Sequence, residues 1–303
     1  MKRGPAPSAG GVPPAEVQID VALVRSLLAE QHADLAMGRL RALDSGWDNA
    51  MFRLDDHLVI RLPRRAAAVA LLQREQRWLG ELAPRLPLTL PVPLRIGQPG
   101  CGYPWPWSVL PWLVGEAADL CPPEPGEAPA WADFLRALHT PAPADAPVSA
   151  VRGVPLGERA QAGEERMARL VAAGHFVDEF ALRAVWHDAL DAPSGHDRTW
   201  LHGDLHARNV LVDQGRISGV IDWGDLCSGD AATDLASVWM LLPTRRSREQ
   251  AMASYGEVDS ALWRRARGWA LMLGVLLLGS GLVDHQRHAA MGALTLRRLV
   301  EGP

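Results

Sequence analysis

The 303-residue chain has one lysine, Lys2; every other fixed positive charge is an arginine. No internal lysine can meet a ligand, so a buried cationic role falls to arginine, which keeps its charge and binds phosphate through two parallel N–H groups. Cysteine is scarce as well. Cys101, Cys121 and Cys227 are far apart and odd in number. With no Cys-x-x-Cys pair and no Cys/His cluster, a zinc site and a disulfide framework are excluded, and free thiols in a reducing cytosol are expected. Excess positive charge is absent: the net charge is −4, so nothing marks a nucleic-acid footprint. Gly4 to Pro14 is rich in Pro, Ala and Gly without an apolar core, so no signal peptide is expected. The longest apolar stretch, Trp269 to Val283, is broken by Gly274, Gly279, Ser280 and Gly281. It reads as a core helix too short for a comfortable bilayer span. These absences point to the cytoplasm, with neither nucleic acid nor membrane as partner.

What is present suits a two-lobed enzyme. The length is generous for one domain. Hydrophobic content of 48% and charge of 22% are ordinary for a globular chain. The informative segment runs from Trp200 to Ala236, WLHGDLHARNVLVDQGRISGVIDWGDLCSGDAATDLA. Asp204 follows a His-Gly turn, Asn209 stands five residues later, and Asp222 ends an apolar, strand-like run. Phosphoryl transfer needs one carboxylate to orient and deprotonate an attacking hydroxyl. It also needs a carboxamide oxygen and a second carboxylate to hold Mg²⁺ against nucleotide phosphates. Asp204, Asn209 and Asp222 supply those groups in that order.

These residues resemble a known family. His202-Gly203-Asp204-Leu205-His206-Ala207-Arg208-Asn209, Ile221-Asp222-Trp223-Gly224-Asp225 and Gly229-Asp230-Ala231-Ala232-Thr233-Asp234-Leu235-Ala236 are similar to the HGDxxxxN, IDWxD/E and GDPxxDLA segments of aminoglycoside phosphotransferases. These belong to the wider protein-kinase-like superfamily. Ala231 stands where proline is common, at a helix start where proline is only favourable. The resemblance implies that Asp204 is the catalytic carboxylate, that Asn209 and Asp222 ligate Mg²⁺, and that ATP or GTP donates the phosphate. It implies an α+β fold with a small antiparallel-sheet N-lobe and a mainly helical C-lobe.

The local patterns fit that plan. A tail over residues 1–18 is expected to be disordered, followed by an N-lobe over 19–113 and a C-lobe over 114–303. Asp20 is a candidate N-cap for a helix to about Gln31. Arg39–Asp44, Ala50–Leu54 and His57–Leu62 read as strands, with a tight turn at Asp55-Asp56. Ala66–Leu82 reads as a helix, and strands are expected near Leu94 and over Trp107–Leu113. Gly46 sits in a turn between strands, where a glycine lets backbone N–H groups approach phosphate. Arg61, in the third strand, takes the place of the usual lysine, and Glu75 on the following helix is its expected partner, with Glu81 second. The run Arg61-Leu62-Pro63-Arg64-Arg65 is similar to a segment of macrolide phosphotransferases. The lobe connection, Val109 to Gly115, offers the Pro111 carbonyl and the Leu113 amide to an adenine; proline lacks an N–H but keeps its carbonyl.

The acceptor, a small hydroxylated molecule, is expected between the catalytic loop and a helical insert over about 141–198. That insert contains two helices, about Leu156–Ala172 and Phe176–Leu190. Glu164, Glu165, Asp178, Glu179 and Asp188 suit a polycation such as an aminoglycoside, while Arg152, Arg159, Arg166 and Arg169 dilute that charge. The Trp269–Val283 helix instead offers apolar surface to a macrolide-like acceptor. His202 is expected to brace the loop. His206 could approach substrate, Asp225 could assist the metal segment, and Asp230 and Asp234 are expected to anchor backbone amides. A metabolic kinase of the choline, homoserine or sugar type remains an alternative, as does a nucleotide-binding pseudokinase. A protein kinase is disfavoured, because no His-Arg-Asp loop or Ala-Pro-Glu segment is present.

Overall fold

Asp20 starts the first helix by accepting from the Leu23 N–H at 2.8 Å, which satisfies an amide that a helix start leaves open. The structure, a computed structural model, describes residues 14–43, 46–176, 178–195 and 198–302. Helix α1 (Val21–Gln31) leads into strands β1 (Leu40–Ala42), β2 (Asn49–Leu54) and β3 (Leu58–Pro63). Along β2 the side chains of Ala50, Phe52 and Leu54 are buried, the period of two that a half-covered strand requires. A short 3₁₀ turn opens helix α2 (Val69–Leu82), and β4 (Arg95–Gly97) and β5 (Trp107–Pro111) complete the lobe. The five strands pair antiparallel in the order β1-β2-β3-β5-β4. Of the expected tail, residues 1–13 lie outside the described residues. The chain ahead of α1 is fastened: the Glu16 N–H donates to the Arg64 carbonyl at 2.9 Å, and its carboxylate accepts from the Ala66 N–H at 3.0 Å.

The C-lobe opens with β6 (Glu116–Ala117), α3 (Ala128–Leu138), α4 (Ala160–Ala172) and α5 (Glu179–Leu190). Strands β7 (Thr199–Leu201), β8 (Val210–Asp213), β9 (Arg216–Val220) and β10 (Cys227–Gly229) follow, then helices α6 (Ala232–Leu235), α7 (Ser237–Leu241), α8 (Arg245–Tyr255), α9 (Ser260–Asp284) and α10 (Gln286–Glu301). The pair β7–β10 and the sheet β6-β8-β9 hold the segment between Leu201 and Cys227 from both sides. The fold is the expected one: a small antiparallel N-lobe and a mainly helical C-lobe.

Two apolar cores carry these lobes. α1 closes one face of the five-stranded sheet, with Val24, Leu27 and Leu28 against Phe52, Ile60 and Leu62. α2 does not belong to that core. Its Trp78, Leu79 and Leu82 pack with Trp131, Trp200 and Trp223 in the C-lobe core, and the Trp78 and Trp200 rings meet edge to face at 4.9 Å. Burying such side chains stabilises by about 1.5–3 kcal/mol each, so α2 is locked to the C-lobe core as well as bonded to the sheet, where Gln76 Nε2 donates to the Trp107 carbonyl at 3.2 Å.

Helix α9 spans 25 residues, longer than the apolar run alone, because Asp259 caps it by accepting from the Ala261 N–H at 2.9 Å. It is the single helix among the described residues long and apolar enough to cross a membrane, and 67% of its apolar window is buried. α4, α5, α6 and α10 pack against it. Trp269, Leu271, Met272 and Leu273 face this core, so the apolar surface expected to line an acceptor cleft is largely consumed by packing.

Candidate active site

The loop after β7 is held by one buried carboxylate. Asp234 accepts from the His202 N–H at 2.7 Å and from the Gly203 N–H at 2.9 Å. Gly203 adopts φ +84, and a Cβ there would lie 2.5 Å from the Asp225 carbonyl, so only glycine fits this close approach. The His202 ring is fully buried against Trp223, with ring centroids 4.6 Å apart. Its Nδ1 accepts from the Asp204 N–H at 3.2 Å, and Nε2 reaches the Ile221 carbonyl at 3.0 Å. Both nitrogens are engaged, so His202 braces the loop and is not free for proton transfer. Asp230 accepts from the Ala232 N–H at 3.1 Å and pairs with Arg265 at 2.6 Å. Both aspartates therefore anchor structure, as their positions suggested.

That frame holds Asp204, whose side chain is 25% exposed. Arg152 Nη2 donates to Asp204 Oδ1 at 2.8 Å, and His206 Nε2 lies 3.3 Å from Oδ2. Burial alone would raise the Asp204 pKa; His206 and Arg152 outweigh it and hold the carboxyl well below the usual carboxylate range. Arg152 also approaches Asp225, Nε to Oδ2 at 3.6 Å. For Asp225 burial dominates and raises the pKa.

Asn209 and Asp222 come from the two ends of the β8–β9 hairpin. Asn209 Nδ2 donates to the Asp204 carbonyl at 3.0 Å, which leaves its carboxamide oxygen as the atom for a metal. The Ile221 N–H donates to the Asn209 carbonyl at 2.9 Å and ties the two segments together. Asp222 sits at φ 62, ψ 65. A left-handed conformation at a non-glycine residue costs about 1–3 kcal/mol and is retained where the surroundings over-determine it. Its side chain is 58% exposed and one oxygen, Oδ2, has no arginine on it. Two hard oxygens in this arrangement fit Mg²⁺ shared with phosphate.

Arg61 joins the lobes. Nη1 reaches Glu75 Oε1 at 2.8 Å and Oε2 at 2.6 Å, while Nη2 reaches Asp222 Oδ1 at 2.9 Å. The side chains of Arg61 and Glu75 are 6% and 1% exposed. Burial lifts Glu75 to about 6 against the pull of Arg61; Glu75 and Asp222 together raise Arg61 despite its own burial. Asn49, with its carboxamide oxygen turned toward the guanidinium, accepts from Arg61 Nε at 3.1 Å and Nη2 at 3.0 Å. The sequence pairing of Arg61 with Glu75 rather than Glu81 matches this geometry.

The other expected residues make different contacts. The Gly46 N–H donates to the Asn49 carbonyl at 2.9 Å, so it closes its own turn instead of presenting a free amide; Ser45 lies outside the described residues. Pro111 ends β5, and the Trp112 N–H donates to the His57 carbonyl at 2.7 Å. The acidic residues of the insert are engaged locally. Glu164 and Glu179 pair with Arg183 at 3.1 and 2.7 Å, Asp188 with Arg264 at 2.9 Å, and Asp178 caps α5. Glu165 accepts from Gln161 at 3.0 Å. Sequence reasoning missed Arg152 and Asn49. Arg152 stands 52 residues before Asp204 in a loop without a motif, and no local pattern could have joined them.

Comparison with known proteins bears on this site as a whole. The E. coli aminoglycoside 3'-phosphotransferase is 34% identical over 128 residues, 40% of this chain and 45% of that protein. The chain spans less than half the length of the curated relatives it matches. Among solved structures, the GDP and kanamycin complex of APH(2")-IIia superposes with a TM-score of 0.69 at 20% identity, covering 92% of this chain and 99% of that one. Macrolide 2'-phosphotransferase type I gives 0.61 at 23% identity, covering 92% and 97%. At such identities the likeness speaks for the fold, a kinase-like one. The model of the Phosphotransferase enzyme family matches residues 39–269, from β1 into α9 and across Arg61, Asp204, Asn209 and Asp222, and this chain belongs to that family.

Proposed function

We propose that the protein transfers the γ-phosphate of ATP or GTP to a hydroxyl of a small molecule. The observation that carries this reading is Arg61, one guanidinium bonded to Glu75 and Asp222 at 2.6 and 2.9 Å. It is the lysine–glutamate pair of a kinase rebuilt with arginine and joined directly to the metal segment. Asn209 and Asp222 are the residues that would hold Mg²⁺, whose chemistry there is neutralisation of the phosphate charge. Asp204 orients the acceptor hydroxyl and takes its proton. Holding both reactants in line supplies much of the rate. The Trp112 N–H is taken by the His57 carbonyl, and the Pro111 carbonyl and the Leu113 N–H on either side of it are the groups that would meet an adenine. The protein works in the cytoplasm, where nucleotide and Mg²⁺ are abundant.

For the acceptor, the family membership favours an aminoglycoside-like or other hydroxylated natural product; a hygromycin-B 4-O-kinase is a partial relative and a kanamycin complex a structural neighbour. A macrolide, or a metabolic alcohol such as choline, homoserine or a sugar, is the other reading. The test is ADP or GDP release by the pure protein with Mg²⁺, with and without a panel of these compounds. Stimulation by an antibiotic supports the first reading and stimulation by a metabolic alcohol only the second. No stimulation by any compound, together with no nucleotide binding, rejects both.

A further inference from the structure

Every N–H of the Arg61 side chain has a partner. Both hydrogens of Nη1 go to Glu75, at 2.8 and 2.6 Å. Nη2 divides between Asp222 Oδ1 at 2.9 Å and the Asn49 carboxamide oxygen at 3.0 Å, and Nε goes to that same amide oxygen at 3.1 Å. A guanidinium donates only and has no further hydrogen to offer, so a nucleotide phosphate reaches Arg61 by taking over one of these bonds. Burial decides which. The Glu75 side chain is 1% exposed and Asn49 is 8% exposed, whereas the Asp222 side chain is 58% exposed. The bond to Asp222 is the one open to exchange.

The two buried partners divide the guanidinium between them. Glu75 grips one nitrogen, about which the rest of the plane can pivot. Asn49 caps the Nε–Nη2 edge and stops that pivot. Its own place is set by its neighbours. It opens β2 opposite Pro63 of β3, and its carbonyl accepts from the Gly46 N–H at 2.9 Å. The preceding Asp48 carbonyl accepts from the Arg64 N–H at 2.9 Å, and the Asp48 carboxylate from Arg65 Nε at 3.1 Å. Because the cap is a neutral amide oxygen, the guanidinium faces two carboxylates rather than three, and more of its charge is left for a phosphate.

Resting on the phosphotransferase reading, we infer that Asn49 is a positioning residue for the nucleotide, acting through Arg61. Together with Glu75 it fixes the fork so that one N–H of Nη2 points out of the buried pair toward the exposed Asp222 side, where a nucleotide phosphate takes it. A lysine needs no such cap, since its ammonium turns its three donors to suit the ligand. An arginine does, because its donors lie in one rigid plane. The Asn49 cap is thus the second half of the replacement of lysine by arginine.

Calorimetry tests this with ATP or GTP, whichever the native protein binds with Mg²⁺, and with the parent nucleoside. Asn49→Ala should weaken triphosphate binding roughly tenfold, the low end for a hydrogen bond to a charged group, and leave nucleoside binding unchanged. In Arg61→Lys, which has no Nε–Nη2 edge, adding Asn49→Ala should change triphosphate affinity by less than about twofold, the signature of two residues acting as a unit. Asn49→Ser leaves room for a water on the same edge; it should fall between native and alanine, and it serves if the alanine variant does not fold. A purely structural role would weaken nucleoside and triphosphate together. Unchanged triphosphate affinity, equal losses for nucleoside and triphosphate, or the same loss in the Arg61→Lys background overturns the inference while the phosphotransferase reading stands. A native protein that binds neither ATP nor GTP rejects that reading and this inference with it.

Discussion

Arg61 and Glu75 share one guanidinium nitrogen: Nη1 lies 2.8 Å from Oε1 and 2.6 Å from Oε2. The other terminal nitrogen is thereby left for Asp222. Had Arg61 gripped Glu75 with its full fork, Asp222 would have lost its hydrogen bond from β3.

Removing one member strands the other in a dry site. Arg61→Ala should destabilise the fold by about 3–5 kcal/mol, the range for breaking a buried pair, and depress turnover. Arg61→Lys should recover part of the activity, since lysine brings charge without two directed arms. In a double-mutant cycle with Glu75→Gln the two losses should be clearly non-additive. Chemical unfolding and steady-state kinetics on the same variants read both effects. Strict additivity would show that the pair does not act as a unit.

The second expectation concerns Asp222. Asn tolerates the left-handed backbone that Asp222 adopts at φ 62, so Asp222→Asn removes the charge with little added strain. The variant should fold and should lose Mg²⁺-dependent nucleotide binding. Calorimetry showing the same Mg·ATP affinity as the native protein would remove Asp222 from the metal site.

Asp234 gives a purely structural expectation. It accepts from two buried amides, those of His202 and Gly203. Asp234→Ala should cost about 2–6 kcal/mol, from one to three for each orphaned amide, and should loosen the catalytic loop. Asp234→Asn keeps one acceptor oxygen and should cost about half as much. Equal stability of all three proteins in urea would mean that other groups hold the loop.

The thiols differ by burial. Cys227 is buried and its pKa is pushed up to about 12, so no reactive thiolate forms near neutral pH. Cys101 is exposed, although the neighbouring Glu30 raises its pKa. A thiol reagent at mildly alkaline pH should modify Cys101 in the native protein and Cys227 only after unfolding. Mass mapping that finds Cys227 labelled first would contradict the packing around β10.

What could be read from the sequence was what sits close in sequence or in a motif of fixed spacing. Alternation in Ala50–Leu54, the Asp55-Asp56 turn and the Asp20 cap are decided by neighbours, and they formed where expected. Asp204, Asn209 and Asp222 lie on one hairpin and its approach, so their spacing carried them. Arg61 and Glu75, 14 residues apart, were legible because a strand followed by a helix brings such positions face to face. Arg152 was not: its contact with Asp204 depends on where a long loop is pinned. The pairing of the acidic insert was not legible, because charge in a sequence says nothing of partners: Arg183 holds Glu164 and Glu179, and Arg264 holds Asp188. The reach of α2 into the C-lobe core came from Trp78 meeting Trp200, a contact across lobes that helical periodicity alone cannot assign.

The central claim is that Asp204 activates an acceptor hydroxyl while the Arg61–Asp222 side holds the nucleotide. The most direct measurement compares native protein and Asp204→Asn in acceptor-dependent ADP or GDP release, with Mg·nucleotide affinity measured by calorimetry on both. The account predicts a loss of turnover by orders of magnitude with nucleotide affinity nearly intact, because the carboxylate touches the acceptor and not the nucleotide. A variant that retains most of its acceptor-dependent turnover would contradict it.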